Sequence, residues 1–179
     1  GTIAEAWTSA EGLAPVGDFD EAVKRVRDSE NPKLKENYPQ VYQKWCEQKD
    51  PGRKQGWDKL GSVDAAWKSV EMPKWFEETG LPGFDGMVWF RREFEVPADW
   101  TGKDLKLDLG AIDDYDTTWI NGVQVGQMNR YDQFRSYTVP ASVVKPGKNV
   151  ITVRVLDTGG NGGFSGMPAQ LRIAPAGDS

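Results

Sequence analysis

The chain has 179 residues, of which 38% are hydrophobic and 27% are charged, and its formal net charge is −5. This length allows one ordinary domain with or without an appendage, and the apolar fraction is sufficient for a core. Lys and Arg are scattered and outnumbered, which argues against nucleic-acid binding, and no apolar run approaches the roughly 20 residues that span a bilayer. We therefore expect a soluble, monomeric domain that binds neither nucleic acid nor a membrane.

Two features of the composition restrict the chemistry of the chain. It contains no histidine, which excludes Ser-His-Asp and Cys-His catalytic sets and histidine-ligated zinc within this chain. Its single cysteine, Cys46, cannot form an intrachain disulfide. Hydrolysis by carboxylates alone, as in glycosidases, is not excluded.

The N-terminal third of the chain has a helical pattern. In GDFDEAVKRVRDS, Asp18 and Glu21 have the spacing of a capping box. Helical spacing of apolar residues resumes in YPQVYQKW and stops at Asp50-Pro51-Gly52, and the following GRKQGWDKLGS predicts a loop. Short, highly charged helices need a surface on which to lie. The pattern therefore predicts a short helical N-terminal arm.

The remainder of the chain has the pattern of short strands. DLKLDL turns its leucines to one side and Lys106 and Asp108 to water, and NVITVRVLD turns Thr152 and Arg154 outward. About eight such segments, separated by turn signals and not by helices, predict a mainly β fold, a β-sandwich. We predict three parts: a helical arm at 1–62, the β-sandwich at 63–175 and a linker tail at 176–179.

The stretch GAIDDYDTTWINGVQVG combines a turn signal with a group of acidic residues. Asn121-Gly122 between alternating segments predicts a two-residue type I′ hairpin. Asp113 and Asp114 then lie at the entrance of a strand, where loop carboxylates are common. The hairpin explains the spacing of this motif but leaves its acidic residues unexplained.

Three stretches combine the aromatic rings and polar groups that sugar recognition requires. The candidate carbohydrate-binding residues are Asp113, Asp114, Tyr115 and Asp116 in the first stretch, Arg130 and Tyr131 in NRYDQFR, Asn161 and Phe164 in DTGGNGGFSG, and Trp100 in a separate loop. A structural alternative stays open for the first stretch, in which Asp113 or Asp116 pairs with Arg154 or Arg135. For the other two stretches, the alternative is an ordinary surface loop.

A family resemblance becomes visible in the second half of the chain. GLPGFDGMVWFRREFEVPADWTGKDLKLDLGAIDDYDTTWINGVQVG and YTVPASVVKPGKNVITVRVLDTGGNGGFSGMPAQLRI closely resemble the domain inserted in bacterial sialate O-acetylesterase-like enzymes. GTIAEAWTS also resembles a segment of that esterase's catalytic domain. More loosely, DDYDTTWINGVQVG resembles the sugar-binding domain of family 2 glycoside hydrolases. Either resemblance implies a jelly-roll sandwich of the galactose-binding-like type.

The closer resemblance implies a parent enzyme of the SGNH-hydrolase class. Such esterases use a serine nucleophile in an early block and a histidine in a late block, and neither block is in this sequence. We therefore expect no catalysis by this chain, which would be the internal span between the two blocks. The expected function is a non-catalytic carbohydrate-binding module that positions a polysaccharide or glycan for the esterase catalytic domain, its second expected partner. A secreted or periplasmic location follows from the same resemblance.

Three other functions stay open. The domain could brace its parent without binding sugar, or it could be a hydrolase that uses carboxylates alone. It could also hold a structural calcium ion, as jelly-roll modules often do, through Asp113, Asp114, Asp116 and Asp157, although EF-hand spacing is absent. No other cofactor is expected.

Overall fold

The computed structural model describes residues 9–10, 12–16, 48, 50–61, 67–84, 86–157 and 160–177. The strands are β1 (Ser9–Ala10), β2 (Gly12–Val16), β3 (Val70–Glu71), β4 (Gly86–Val96), β5 (Leu105–Asp113), β6 (Tyr115–Ile120), β7 (Val123–Met128), β8 (Phe134–Val139), β9 (Gly147–Asp157), β10 (Gly163–Phe164) and β11 (Leu171–Pro175). Helix α1 spans Gly52–Gln55, and 3₁₀ turns span Phe76–Thr79, Ala98–Trp100 and Pro168–Gln170. None of the helices in these ranges is long and apolar enough to cross a membrane.

The strands form two main antiparallel sheets. One sheet has five strands in the order β2-β4-β9-β6-β7, with β4 and β9 paired along their whole length. In the second sheet, β5 pairs with β8, β11 and β10. β11 pairs with the first part of β5 and β10 pairs with its last two residues. The short strands β1 and β3 pair separately. This architecture confirms the predicted mainly β sandwich.

The core lies between the two main sheets and follows the period of two along each strand. Leu105, Leu107 and Leu109 of β5 are fully buried, and Lys106 between them is exposed. From the other sheet, Val153 and Val155 of β9 belong to the same buried cluster. The predicted inward positions of both strands are confirmed.

The predicted Asn-Gly hairpin is also present. Asn121 and Gly122 both have positive φ, 49° and 82°, as a type I′ turn requires. They join β6 to β7, with Ile120 opposite Val123. The turn fixes the register of this hairpin.

The arm differs from expectation where it is described. Residues 12–16 form the edge strand β2, paired with β4, and Pro15 suits an edge because it lacks an N–H donor. The predicted loop after Asp50 contains helix α1, so that prediction was wrong there. Gln48 is helical, as predicted, and the other helical residues predicted for the arm, with Asp18 and Glu21, lie outside the described residues.

Residues 50–61 cover the outer face of the five-stranded sheet. Trp89 Nε1 and an Arg154 guanidinium nitrogen donate to the two carboxylate oxygens of Asp50, at 2.9 and 2.8 Å. The rings of Trp89 and Trp119 stack with centroids 5.1 Å apart, and Arg154 lies over both. Arg154 does point outward from the sheet, as predicted, but it meets another part of the chain and not water.

Candidate functional site

Asp113, Asp114 and Tyr115 form the junction between β5 and β6, and we call these three residues the β5–β6 junction. β5 ends at Asp113 and β6 begins at Tyr115, so that Asp114 alone connects two strands that lie in different sheets. The Asp114 N–H donates to the Leu156 carbonyl at 3.1 Å, and Arg135 donates to the Asp114 carbonyl at 3.1 Å. The backbone is thus held from both sides, whereas the three side chains are half-buried and partly open to solvent.

The carboxyl group of Asp113 is electrostatically unusual. Burial raises its pKa to about 7, with further contributions from a hydrogen bond with the Asp114 side chain and from the charges of Asp114 and Asp157, while Arg135 opposes the rise. Near neutral pH this group is therefore present in both protonation states. It can accept a hydrogen bond when ionised and donate one when protonated.

Tyr115 adds a neutral phenol to the β5–β6 junction. Burial and the nearby charge of Asp114 raise its pKa to about 12, and a hydrogen bond with Asn129 partly opposes them. The hydroxyl therefore keeps its proton at physiological pH. The junction presents two carboxyl groups and one hydroxyl within three consecutive residues.

Asp116, also a candidate, has a structural role. Its carboxylate is fully buried, where it pairs with Arg135 at 2.7 Å and accepts hydrogen bonds from the hydroxyls of Thr118 and Tyr137, each at 2.9 Å. Burial raises the pKa of Asp116, and the Arg135 guanidinium and both hydroxyls oppose that rise. A ligand cannot reach this group, so the Asp116–Arg135 pairing considered from sequence is the one formed.

The loop at 129–133 lies beside the β5–β6 junction because Arg135 holds both. The guanidinium of Arg135 donates to the carbonyls of Arg130 and Gln133 in addition to that of Asp114. Arg130 pairs with Asp132 at the exposed surface at 3.1 Å. Tyr131 is 65% exposed. A solvent-accessible aromatic ring is thereby carried on a loop anchored to the junction.

The third predicted stretch reaches the same end of the sandwich but places its aromatic residue in the core. Gly163 pairs with Asp113, and Asn161 is exposed nearby in sequence. Phe164 is only 2% exposed and makes an edge-to-face contact with Phe90 at 5.0 Å. The pairing of β10 with β5 turns the ring inward, so it cannot stack on a sugar.

Trp100 is buried as well. It ends a 3₁₀ turn, is 8% exposed and belongs to the core cluster. We therefore leave Trp100, Phe164 and Asp116 out of the candidate site, which consists of the β5–β6 junction and the 129–133 loop. Within the described ranges, no three acidic or cysteine side chains are grouped to hold a metal ion.

Sequence reasoning considered Arg135 as a partner of Asp113 or Asp116, and Asp157 as a calcium ligand, but it missed what these two residues do at this site. Asp157 ends β9, is fully buried and contributes to the raised pKa of Asp113. Arg135 is also fully buried and connects the junction to the loop. The available signal was the alternation of β8, in which Arg135 shares the inward face with Tyr137 and Val139.

Comparisons with known proteins identify the family. Residues 38–163 match the model of the glycosyl hydrolases family 2, sugar binding domain. The Ruminococcus gnavus β-glucuronidase crystal structure is similar at 25% identity and a TM-score of 0.53, over 60% of this chain and 19% of that chain. A β-glucuronidase from an uncultured Clostridium sp. shares the fold at 21% identity and a TM-score of 0.50, over 59% of this chain and 19% of that one.

These matches decide between the two resemblances. The prediction that the parent is an SGNH-class esterase was wrong, because the matching family model and the similar structures belong to glycoside hydrolases. The looser resemblance is confirmed. The chain belongs to the sugar-binding domain family of the family 2 glycosyl hydrolases.

Proposed function

We propose that this domain binds a glycan at the β5–β6 junction and the 129–133 loop, and positions it for glycoside hydrolysis by another part of a longer protein. The observation that carries the proposal is that Arg135 donates hydrogen bonds to one carbonyl of the junction and to two carbonyls of the loop. These bonds fix the junction and the loop relative to each other. Groups fixed before binding lose little conformational freedom when the ligand arrives. Membership of a sugar-binding family supports a glycan as the ligand.

The chemistry of the candidate site suits the hydroxyl groups of a neutral sugar. Asp114 and ionised Asp113 accept hydrogen bonds, and Tyr115 can donate one. The exposed ring of Tyr131 offers an apolar face for the C–H groups of a pyranose. A carboxylate on the sugar would be repelled here, because Asp113, Asp114 and the buried Asp157 already concentrate negative charge.

The test is a binding screen on the 179-residue chain. Immobilised cello-, manno-, xylo- and galacto-oligosaccharides are screened first, and the strongest binder is then titrated by calorimetry. We expect Asp114→Asn and Tyr131→Ala each to weaken binding by about tenfold or more, because each removes a direct contact. Asp99→Asn is the matched control. Asp99 is exposed and follows the C-terminal end of β4, whereas Gly86 at the N-terminal end pairs with Asp157 near the junction.

Two results would contradict this proposal. One is the absence of binding to any neutral oligosaccharide at millimolar concentration, which would favour the alternative role of bracing the parent enzyme. The other is binding that Asp114→Asn and Tyr131→Ala leave at the level of Asp99→Asn.

A further inference from the structure

A cavity of about 320 Å³ opens on the outer face of the second sheet, away from the core. Its walls come from β5, β8, the 3₁₀ turn Pro168–Gln170 and β11. The lining residues that matter here are Lys106, Asp108, Phe134, Ser136, Gln170 and Arg172. Ligand cavities in proteins measure roughly 300–1,000 Å³, so this one is large enough for a sugar residue.

The cavity lies at an irregularity in the sheet. The pairing of β5 with β8 shifts register between Asp108 and Gly110, as at a β-bulge. Gly110 has φ +67°, and a Cβ at this position would lie 3.4 Å from the Gln170 side chain. The positive φ is what favours glycine here, since a residue with a side chain would be strained in this conformation.

The side chains around the cavity are polar, with an excess of positive charge. Lys106 and Arg172 are cationic, whereas Asp108 is the one acidic residue in the lining. Asp108 is already engaged, because it accepts a hydrogen bond from Ser136 at 2.7 Å and lies 3.6 Å from Lys106. The charge of Arg135, which also lines the cavity, is balanced by buried Asp116.

Two further groups in the lining suit a saccharide. Phe134 is 65% exposed at the start of β8, so that a face of its ring is accessible to a ligand. The side-chain carbonyl of Gln170 accepts a hydrogen bond from the Met167 N–H at 2.7 Å, which leaves its amide nitrogen as a donor. An aromatic face, an amide donor and a cation thus surround one opening.

We infer that this cavity is a second carbohydrate site, specific for a saccharide that carries a carboxylate. Phe134 packs on a pyranose ring, and Gln170 donates to a hydroxyl or to the carboxylate. Lys106 exchanges its exposed pairing with Asp108, at 3.6 Å, for the sugar carboxylate, while Ser136 keeps its hydrogen bond to Asp108. The charge preference is opposite to that of the β5–β6 junction. Phe134, Lys106 and Gln170 do not belong to the junction or to the 129–133 loop, so this inference does not depend on the function proposed there.

The experiment compares two probes that differ only in charge. Trigalacturonic acid carries a carboxylate on each ring, and its methyl ester has the same rings without the charge. The ¹⁵N amide spectrum of the 179-residue chain is followed while each probe is added. We expect saturable shifts at β5, β8 and β11 with the acid, and binding of the methyl ester that is weaker by about tenfold or more.

Variants separate this site from general charge attraction and from the first site. Phe134→Ala should weaken binding of both probes, whereas Lys106→Gln should weaken binding of the acid and leave the ester unchanged. Val123→Ala, which truncates another exposed apolar side chain on the edge strand β7, should leave both affinities unchanged.

The inference is overturned if neither probe shifts the amides of β5, β8 and β11. It is also overturned if Phe134→Ala binds the acid as wild type does, or if Lys106→Gln weakens the ester as much as the acid. Loss of binding of neutral oligosaccharides in Asp114→Asn concerns the junction alone, so the two proposals fail separately.

Discussion

Asp116 and Arg135 show how one buried pair can organise a site whose exposed side chains belong to other residues. The pair carries opposite charges at 2.7 Å, and both side chains are fully buried. Two hydroxyls satisfy the remaining oxygen sites of Asp116, and three backbone carbonyls satisfy the guanidinium. A buried ion pair rarely adds much net stability, but its fixed geometry can specify one local conformation. Here that conformation holds the 129–133 loop next to the backbone of Asp114.

Asp113 should make the stability of the domain depend on pH. The pKa of this carboxyl is about 7 in the folded chain, against about 3.9 for an unfolded aspartate, so the folded state binds more protons between these values. The contribution of Asp113 to the free energy of unfolding is therefore largest below about pH 4 and falls as the pH rises through 7. We expect Asp113→Asn to gain stability relative to wild type between pH 5 and pH 8, as measured by urea unfolding.

Asp132→Asn provides the comparison for that measurement. The hydrogen bond from Arg130 lowers the pKa of Asp132, so its contribution changes only in the acid range, below the window from pH 5 to pH 8. The difference in free energy of unfolding between Asp132→Asn and wild type should therefore be the same at pH 5 and at pH 8. A difference between wild type and Asp113→Asn that does not change with pH would contradict the raised pKa.

Among the structural elements, the largest departure from a simple sandwich is the segment 50–61, which lies over the outer face of the five-stranded sheet and which we call the cover. The alternation of β9 indicates which side chains leave the core, but not whether they meet water or another segment. The partner of Arg154 is Asp50, which lies 104 residues away in the sequence. The Asp50-Pro51-Gly52 turn signal was interpreted locally as a helix stop, and its contact with the sheet depends on the tertiary fold.

Gly52 tests how closely this cover fits. A Cβ at residue 52 would lie 2.4 Å from two ring atoms of Trp89, too close for any real contact. Gly52→Ala should therefore displace the segment from the ring and lower the free energy of unfolding by about 1–3 kcal/mol, as overpacking does. Urea unfolding measures the loss, and a red shift of tryptophan emission reports the exposure of Trp89.

Lys54→Ala is the control for the Gly52 variant, because Lys54 lies on the same helical turn with an exposed side chain. It should retain wild-type stability and emission. If Gly52→Ala behaves as Lys54→Ala does, the segment is not packed against Trp89 as described.

For the whole molecule, local patterns were sufficient for the strands and the hairpin but not for the site or the family. The alternating leucines of β5 and the Asn121-Gly122 turn carry their information within a few neighbouring residues. Phe164 was predicted to bind sugar in a glycine-rich stretch, whereas its burial follows from the pairing of β10 with β5. The assignment to an esterase failed because the shared residues build a fold that different enzymes use.

The two main sheets and the cover should unfold together. The cover is tied to β4 and β9 through Asp50, and these strands also form one side of the core. Leu107→Ala, at a fully buried position in the opposite sheet, should lower the free energy of unfolding by about 2–5 kcal/mol. Its urea transitions followed by circular dichroism and by tryptophan emission should coincide, as cooperative unfolding requires.

Lys106→Ala, one residue away on the exposed face of β5, is the matched control and should change stability little. The emission signal includes the stacked pair Trp89 and Trp119 beneath the cover, so early release of the cover would move that transition to lower urea. Separate transitions in wild type would mean that residues 50–61 are a weakly held addition to the sandwich. Coincident transitions that shift together in Leu107→Ala would place the cover, both sheets and the β5–β6 junction in one cooperative unit.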